Sequence, residues 1–435
     1  MAKKERDLHK ELATRKFHKP NPFIYFLYYV IGSGPFLAAK YHPHYEIVDK
    51  MPKDEPCFLI WNHQSRRDHA FIMHAAWPKR INIVCEYNEF FRSHLHTVLR
   101  LNSILPKKVF VNDFLGMKAM NQIIKQGGCV ALSPEGTSSI FGNNQPIVAG
   151  TGKFLKHYGV PVYCDDIRGS YLTNNKISER DRYGKVFIKQ YLLFSKEDLK
   201  KMTGEEIDAK INEVFRHDDY EWNKKERISY YDGGHMAENL ADICYKCPRC
   251  GKDLVMEDEG DIIRCKECGN EARVNEFYDL VKKDDTCVIP ESPVKWMEYE
   301  RMDIIKTIRE NPDFHYEEKV QIGYLPKDHW IKNKKTGEHC GEGVFSIDHQ
   351  GVHFKGTKLG EPYSFDLDYT RIFTLQIAVD LKFFTLYLDD GYMEFHPERN
   401  NVALMMMTIE EMHRLHVNYW KNFPWYDFMY KGYDK

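Results

Sequence analysis

A histidine and an aspartate five residues apart form the part of this sequence best suited to acid–base chemistry. Residues 62–69 read Asn-His-Gln-Ser-Arg-Arg-Asp-His, and His63 can take up a proton near neutral pH. Asp68 can accept the other ring N–H, fix the tautomer and stabilise the imidazolium that forms. The spacing therefore indicates a base and its orienting carboxylate, without a nucleophilic serine or cysteine. The alternative is a surface turn in which Asn62 caps the next helix.

The elements around this pair are a predicted strand and a predicted helix. The apolar residues 57–61 are typical of a short buried strand, and residues 68–76 are typical of a helix. Residues 127–137, Gly-Gly-Cys-Val-Ala-Leu-Ser-Pro-Glu-Gly-Thr, predict a turn, a strand and a polar loop. Residues 158–163 predict a further turn and strand, which Arg168 soon follows. Strand-to-helix turns of this kind can hold reactive side chains at the rim of a pocket.

These blocks, taken in order, resemble the glycerophospholipid acyltransferase family, typified by 1-acylglycerol-3-phosphate acyltransferase. The shared blocks are Asn-His-x4-Asp, Pro-Glu-Gly-Thr and a Val-Pro-Val strand, and the resemblance covers roughly residues 20 to 220. It implies an α/β fold, a mixed sheet flanked by helices. It also implies that His63 is the general base on an acceptor hydroxyl, with Asp68 orienting it, and that the acyl donor is acyl-CoA or acyl-carrier protein. The substrate-binding residues that it implies are Asn62, Glu135, Gly136 and Thr137.

The sequence departs from the family pattern where an acceptor phosphate would bind. Ser138 stands where the family has an arginine after Glu-Gly-Thr, and the block that usually carries a second arginine offers Lys107 and Lys108. Asp165 stands where the family usually has a proline. A lysine keeps the positive charge but lacks the bidentate fork of arginine. Lys107, Lys108 and Arg168 are the candidates for binding an acceptor phosphate, and solvated surface charge is the alternative for all three.

The N-terminal 40 residues are suited to a membrane surface. Residues 1–20 carry a net charge of +4, and residues 21–39 are uncharged and rich in tyrosine and phenylalanine. A spanning helix needs ~20 apolar residues, but residues 32–35, Gly-Ser-Gly-Pro, interrupt this stretch. We therefore expect an interfacial hairpin with a basic arm drawn to anionic lipid. A helix packed on the protein's own core is the alternative.

Composition indicates an intracellular protein of two or three domains. The chain has 435 residues and a net charge of −2, which gives no overall attraction to nucleic acid. Several of its 11 cysteines are scattered in apolar segments, as ordinary buried thiols are.

Four cysteines form two Cys-x2-Cys-Gly knuckles separated by 14 residues. They are Cys247, Cys250, Cys265 and Cys268. Four thiolates at this spacing suit tetrahedral zinc, and the pattern resembles a zinc ribbon. A core of about 30 residues needs such a staple, so we expect the zinc to be structural; a redox or iron–sulfur site is the alternative. Cys244 is either a replacement ligand or a spare thiol, and we favour the spare thiol.

The last third of the chain changes to short strands joined by turns. Residues 344–347 and 352–354, and residues 383–388 and 392–395, flank turn sequences and predict two hairpins. Residues 296–310 and 408–420 predict helices. Strands followed by one closing helix resemble a pleckstrin-homology-like or GRAM-like domain, which would bind a lipid headgroup or a protein.

The sequence as a whole predicts a peripheral, monotopic acyltransferase at the cytoplasmic face of a membrane. The predicted segments are 1–40, the basic arm and interfacial segment; 41–235, the acyltransferase domain; 240–282, the ribbon; 283–318, a helical linker; and 319–435, the β-rich module. The predicted acceptor is a glycerophosphate-type lipid such as lysophosphatidate. The alternatives are another lipid or amphiphilic alcohol as acceptor, and a catalytically silent lipid-binding scaffold. We expect no nucleic acid partner, whereas the ribbon or the C-terminal module could bind a protein.

Overall fold

The computed structural model describes residues 6–417 and 423–433. Within these residues the strands form three sheets of seven, four and seven strands in chain order. The first belongs to a mixed α/β unit, the second to the cysteine-rich ribbon and the third to the C-terminal region.

The first sheet is mixed, as predicted. Its strands are β1 (His44–Ile47), β2 (Cys57–Trp61), β3 (Ile81–Glu86), β4 (Leu105–Lys107), β5 (Cys129–Leu132), β6 (Val162–Arg168) and β7 (Phe187–Phe194). They lie in the order β1-β7-β6-β2-β5-β3-β4. The strands β6, β2, β5, β3 and β4 are mutually parallel, whereas β7 runs antiparallel to β6 and pairs in parallel with β1. Every residue of the central strand β2 is buried, which explains its unbroken apolar sequence.

Helices cover this sheet. They are α1 (Leu8–Thr14), α2 (Pro22–Tyr25), a π-helix (Phe26–Ser33), α3 (Gly34–Tyr41), α4 (Asp68–Ala75), a 3₁₀ turn (Tyr87–Phe91), α5 (His96–Leu101), α6 (Phe114–Lys125), α7 (Thr151–Tyr158), α8 (Ser170–Asn174), α9 (Lys196–Lys201), α10 (Gly204–Val214) and α11 (Asp219–Glu226). The helix α10 begins where Thr203 and Glu206 form a reciprocal capping box. Its buried residues Ile207 and Ile211 lie four apart, on the face that packs against α7.

The carboxyl ends of the five parallel strands meet at one edge of the sheet. The segments that follow them carry His63 after β2, Glu86 at the end of β3, Lys107 at the end of β4 and Glu135 after β5. Ser170 follows β6 at the same edge. In open α/β sheets this edge is where ligands bind, so the topology gathers these side chains at one place.

The predicted N-terminal hairpin is wrong, because residues 22–41 form one uninterrupted helix. The backbone at Ser33 and Gly34 is right-handed helical, and the Gly34 N–H donates to the carbonyl of Tyr29, five residues back. This wider π turn precedes Pro35, which lies in the first turn of α3, where proline is tolerated. The Gly-Ser-Gly-Pro stretch therefore continues the helix.

The helix over residues 22–41 is long and apolar enough to cross a membrane. It spans 20 residues with a mean hydropathy of 1.3, and 17% of its most apolar window is buried within the protein. Core helices and signal sequences can have the same length and composition.

The basic N-terminal arm packs onto the protein. Leu8 and Leu12 on α1 are buried, and the Leu8 N–H donates to the Lys327 carbonyl at 2.7 Å. The Arg6 guanidinium lies 4.7 Å from the centroid of the Trp330 ring. The first described residues of the chain are thus held against its C-terminal third.

The ribbon is an antiparallel sheet wedged between the other two units. Its strands are β8 (Met256–Glu259), β9 (Ile262–Cys265), β10 (Glu271–Val274) and β11 (Leu280–Lys282), preceded by a 3₁₀ turn (Leu240–Asp242) and followed by helix α12 (Pro293–Glu310). On one side the Tyr278 hydroxyl donates to the Leu172 carbonyl at 2.8 Å. On the other side the indole N–H of Trp296, on α12, donates to the Lys246 carbonyl at 2.8 Å. Its buried side chains share one apolar cluster with residues of both neighbouring units.

The C-terminal region is β-rich, as predicted. Its strands are β12 (His315–Tyr324), β13 (Glu338–Asp348), β14 (Val352–Lys358), β15 (Glu361–Leu367), β16 (Gln376–Ile377), β17 (Phe384–Leu388) and β18 (Gly391–Pro397). They form an antiparallel sheet in the order β15-β14-β13-β12-β18-β17-β16. The two predicted hairpins are β13–β14 and β17–β18. Single 3₁₀ turns lie at Val379–Leu381 and Pro424–Tyr430.

The helix after this sheet, α13 (Val402–His416), begins six residues before the predicted start, and the predicted end at 420 lies outside the described residues. Buried Arg301 on α12 donates to Glu410 and Glu411 on α13, each at 2.7 Å. Because removing one member of such a buried network leaves an uncompensated charge, this contact fixes the two helices together.

Candidate active site

His63 and Asp68 are in direct contact. The His63 Nδ1 lies 2.8 Å from Asp68 Oδ2. An ionised carboxylate only accepts hydrogen bonds, so in the neutral ring the proton is on Nδ1 and the lone pair is on Nε2. His63 lines a cavity, whereas Asp68 is fully buried. This arrangement leaves Nε2 as the basic atom available to the cavity.

Asp68 accepts five hydrogen bonds, which fix its position. Besides the His63 ring, the donors to Oδ2 are the backbone N–H groups of Gln64 at 2.6 Å and Ser65 at 2.9 Å. The hydroxyls of Ser65 and Ser170 donate to Oδ1 at 2.9 and 2.7 Å. These donors satisfy a carboxylate that burial has removed from water.

Glu135 holds the backbone on both sides of the site. Its Oε2 accepts from the His63 N–H at 2.7 Å, and its Oε1 accepts from the Gln145 N–H at 2.9 Å. The Ser139 N–H in turn donates to the His63 carbonyl at 2.8 Å. Burial raises the pKa of Glu135 to about 7, against the opposing effect of the two backbone donors. With both oxygens occupied, Glu135 positions His63 and does not face the cavity.

Asn62 is likewise engaged inside the protein. Its side-chain amide donates to the Ile167 carbonyl at 2.8 Å and accepts from the Ile167 N–H at 2.7 Å. It therefore links the ends of β2 and β6, and it does not line the cavity. This location corrects the expectation that Asn62 contacts substrate, because both of its polar groups are consumed by the backbone.

Gly136 and Thr137 do line the cavity. Gly136 has a φ of +76°, and a Cβ at that position would lie 2.7 Å from the Phe110 ring. The tight turn after Glu135 thus requires a glycine, and it directs the Thr137 hydroxyl toward Lys176, whose Nζ lies 2.8 Å away.

The cavity has a volume of about 1900 Å³ and lies between the α/β unit and the C-terminal sheet. Apolar side chains line part of it, among them Ile83, Met117, Met120, Leu132 and Phe154. The C-terminal sheet contributes further lining residues, including Phe373, Gln376, Thr385 and His396. The volume exceeds the 300–1,000 Å³ usual for small-molecule sites, and the apolar part is suited to long aliphatic groups.

The predicted phosphate-binding residues behave differently from one another. Lys107 and Lys108 line the cavity, but the Lys107 ammonium donates to the Lys108 carbonyl at 2.7 Å and lies 4.0 Å from Asp113. Lys108 Nζ lies 5.2 Å from the centroid of the Tyr87 ring. Arg168 does not line the cavity, and its guanidinium pairs with Asp166 at 2.9 Å.

Several residues at the site carried no local sequence signal. Lys176 and Ser170 are brought in by contacts across 39 and 102 positions of the chain. Arg66 and Arg67 also line the cavity, and their position inside the His63–Asp68 block could have suggested them.

The four knuckle cysteines converge on one point, with their sulfurs within 4.8 Å of one another. The Sγ atoms of Cys247 and Cys268 are 3.6 Å apart, and those of Cys250 and Cys265 are 3.9 Å apart. Tetrahedral sulfurs at a Zn–S distance of about 2.3 Å would be about 3.8 Å apart, so the cluster fits zinc. Asn270 donates its amide to Cys247 Sγ at 3.7 Å, a typical supporting contact. Cys244 is buried outside this group.

Comparison with known proteins matches two segments of the chain. Residues 42–164 match the family model described as Acyltransferase. Residues 241–274 match the model described as DNA directed RNA polymerase, 7 kDa subunit, a zinc ribbon. Among curated proteins none matches the chain. One solved structure that it resembles is the 1-acyl-sn-glycerophosphate (LPA) acyltransferase PlsC from Thermotoga maritima. The identity is 20%, the TM-score is 0.35, and the alignment covers 42% of this chain and 73% of that one.

The α/β unit is an acyltransferase domain, and the protein is an acyltransferase. The domain contains His63, Asp68 and Glu135, all within the matched residues.

Proposed function

We propose that the protein transfers an acyl chain from acyl-CoA or acyl-carrier protein to a hydroxyl of a glycerophosphate-type lipid such as lysophosphatidate. The observation that carries this proposal is the 2.8 Å contact between His63 Nδ1 and Asp68 at the cavity of an acyltransferase domain. It supplies a general base without a protein nucleophile, which suits direct transfer to an alcohol.

In the proposed reaction, His63 Nε2 takes the proton of the acceptor hydroxyl as its oxygen attacks the thioester carbonyl carbon. Asp68 keeps the ring in the required tautomer and stabilises the imidazolium. The tetrahedral intermediate then collapses, the C–S bond breaks, and the thiolate receives the proton from His63. The products are the ester and a free thiol, so atoms and charge balance.

We also propose that the protein is peripheral to a membrane, at its cytoplasmic face. Exposed apolar side chains on the helix over residues 22–41 support this, namely Phe23, Phe26, Leu27, Tyr28, Ile31 and Phe36. Tyr28 also lines the cavity, so a helix at the headgroup level would place the cavity beside its lipid substrate. The proposed units are the segments 1–40, 41–235, 240–282, 283–318 and 319–435.

For the ribbon we propose a structural role, and for the C-terminal module a binding role. Zinc bound by Cys247, Cys250, Cys265 and Cys268 would complete the ribbon, and four protein thiolates leave no position for catalysis. The C-terminal module is proposed to be pleckstrin-homology-like or GRAM-like, and it or the ribbon could also bind a protein partner.

Another lipid or amphiphilic alcohol is a second candidate acceptor. Ser138 and Asp165 favour it, because they stand where the family pattern has an arginine and a proline. Comparison of lysophosphatidate with neutral acceptors decides between the two, and strong preference for lysophosphatidate would remove this second candidate.

The test is acyl transfer from a labelled thioester into a mixed lysolipid pool, comparing wild type with His63→Ala. We expect product from the wild type and a loss of ~10²-fold or more in the variant, the range for removal of a general base. His157→Ala is the control, because His157 is exposed at the end of α7 and does not line the cavity. Lack of product from folded, zinc-loaded wild type with both donors would instead support the silent scaffold.

A further inference from the structure

Lys176 differs from the other described cations of the cavity in its burial. Its side chain is only 5% exposed, yet it lines the cavity. Its ammonium donates to the Thr137 hydroxyl at 2.8 Å. Within the described residues Lys176 forms no salt bridge, because Glu86 acts on it only through its charge, and two of its three donor hydrogens remain for a ligand.

The other described cations near the cavity are engaged or solvated. Arg66 donates to the carbonyls of Asn175 and Ser178. Arg67 pairs with Asp181 at 3.3 Å. Nη1 of Arg92 donates to both carboxylate oxygens of Glu89, each at 2.9 Å. Arg371 pairs with Asp389, and the Lys107 ammonium donates to the Lys108 carbonyl. Lys108 is half-buried with its Nζ over the Tyr87 ring, and Lys334 and Lys335 are exposed. Lys176 is therefore the buried positive charge best placed to attract an anion.

Lys176 is linked to the catalytic base through the backbone of residues 135–139. Thr137 lies between Glu135, which holds the His63 N–H, and Ser139, which holds the His63 carbonyl. An acceptor whose phosphate contacts Lys176 can thus present a nearby hydroxyl toward His63. Ser138, next to Thr137, has no positive charge of its own.

The C-terminal sheet holds this corner of the cavity in place. The Asp380 N–H donates to the Lys176 carbonyl at 2.9 Å, from a turn in which Asp380 has a φ of +69°. Gln376 donates its amide to Glu86 Oε2 at 3.3 Å. Non-glycine residues with positive φ persist only where surrounding contacts hold them, and such positions often occur at ligand sites.

Glu86 is the acidic group that acts on Lys176 across the cavity. Burial raises the pKa of Glu86 and lowers the pKa of Lys176, and the opposite charge of each residue works against the shift of the other. In its neutral form Glu86 can donate a hydrogen bond to an anion. The corner thus remains compatible with a phosphate despite the carboxyl group.

We propose that Lys176 binds the phosphate of the acyl acceptor and determines the preference for phosphorylated acceptors over neutral ones. This inference rests on the proposed function for the identity of the reaction. It assigns the phosphate contact to a residue outside the predicted set of Lys107, Lys108 and Arg168, and to a corner that the C-terminal sheet completes.

The experiment compares lysophosphatidate with a monoacylglycerol of the same chain, which lacks only the phosphate, using the full zinc-loaded protein on vesicles. For Lys176→Met we expect kcat/KM with lysophosphatidate to fall by about 10- to 100-fold, as for a lost hydrogen bond to a charged group. We expect kcat/KM with monoacylglycerol to change by less than about twofold, and Lys176→Arg to recover part of the loss. Glycerol 3-phosphate, as a third acceptor, shows whether a free phosphate ester is used as well as a lipid.

The matched control is Lys79→Met. Lys79 is 3% exposed and its ammonium is held by the carbonyls of Lys53 and Glu55, away from the cavity. It reports the effect of removing a buried lysine, and we expect the ratio of the two acceptors to stay unchanged. Thr137→Val is a milder second variant, and a smaller shift toward the neutral acceptor is expected from it.

Direct binding separates the two proposals. Titration of lysophosphatidate without donor should give a Kd about tenfold weaker or more for Lys176→Met than for wild type. If wild type binds lysophosphatidate through Lys176 but transfers nothing, the proposed reaction fails and the lysine assignment stands. Equal losses with both acceptors, or an unchanged Kd, would overturn the assignment of Lys176.

Discussion

At the scale of single residues, Asp165 is a carboxyl group buried at the centre of the first sheet. Gln190 donates to its Oδ1 at 2.8 Å, and its Oδ2 has no partner within the described residues. Burial raises the pKa of Asp165 to about 8, against the opposing effect of the Gln190 bond. The ordinary value is 3.8, so the folded state favours the neutral acid.

This shift makes the stability of the protein depend on pH. A group whose pKa is raised on folding stabilises the fold fully below its unfolded pKa, and that contribution is lost as the pH rises through its folded pKa. For Asp165 the loss therefore runs from about pH 4 to about pH 8.

We expect Asp165→Asn to become progressively more stable than wild type between pH 5 and pH 8. The amide keeps an acceptor for Gln190 and cannot ionise, so the gain at pH 8 should be on the order of a few kcal/mol. Thermal unfolding of both proteins across this range measures it. A difference that stays constant with pH would contradict the proposed ionisation of Asp165.

The residue scale also shows what sequence could predict about the site. The contact between His63 and Asp68 spans five positions, and a strand-to-helix turn is enough to form it. Lys176 and Ser170 arrive through the packing of distant segments, and no spacing rule reaches across 39 or 102 positions. The roles of Asn62 and Glu135 also depended on backbone partners that only the folded chain supplies.

At the scale of elements, the helix over residues 22–41 decides how the protein could meet a membrane. Glycine and proline are local breaker signals, and they predicted a turn at residues 32–35. The π-helical segment Phe26–Ser33 takes up this break within a continuous helix. The predicted hairpin is wrong because the i to i−5 hydrogen bonds of a π-helix have no signature in the order of residue types.

We expect the double variant Phe23→Ser, Ile31→Ser to bind anionic vesicles roughly tenfold more weakly, from the loss of apolar burial in the interface. Phe23 is 71% and Ile31 52% exposed, so the fold should be retained. Vesicle flotation measures binding, and Val281→Ser, at a 50% exposed position on the ribbon, is the control. Equal flotation of the double variant and the control would rule out this helix as the contact surface.

At the scale of the whole molecule, the ribbon packs between the acyltransferase domain and the C-terminal sheet and contributes to the apolar core of both. Its residues Cys247, Cys265 and Ile263 belong to the same apolar cluster as Tyr171 of the acyltransferase domain and Phe345 of the C-terminal sheet. Loss of the ribbon would expose both of its contact surfaces to water. Zinc bound to the ribbon should therefore stabilise the two neighbouring units as well, although neither contacts the metal.

We expect Cys250→Ser, or removal of zinc by a chelator, to lower the melting temperature of the whole protein and reduce acyl transfer. Calorimetry with a metal assay should show one zinc per chain in the wild type and less in the variant. Cys340→Ser is the control, since Cys340 is buried in the C-terminal sheet and outside the four-sulfur cluster. An acyltransferase domain that melts at an unchanged temperature without metal would show that the ribbon is independent.

The order of units along the chain was readable, whereas their arrangement was not. Strand patterns predicted the β-rich end, and knuckle spacing predicted the ribbon. That the C-terminal sheet forms one wall of the cavity rests on contacts such as Asn88 to Tyr392, 304 positions apart. Local periodicity contains no information on such contacts.

The contact between Leu8 and Lys327 also has a consequence for folding during synthesis on the ribosome. The two residues are about 320 positions apart, so at 5–20 residues per second the N-terminal arm waits about 15 to 65 s for its binding surface. During that delay the apolar helix just behind the arm has already emerged, and α4, against which it packs, follows it within about 50 residues. If the exposed side of this helix binds a bilayer as proposed, that contact can therefore form before the N-terminal arm reaches its place on the C-terminal third of the chain.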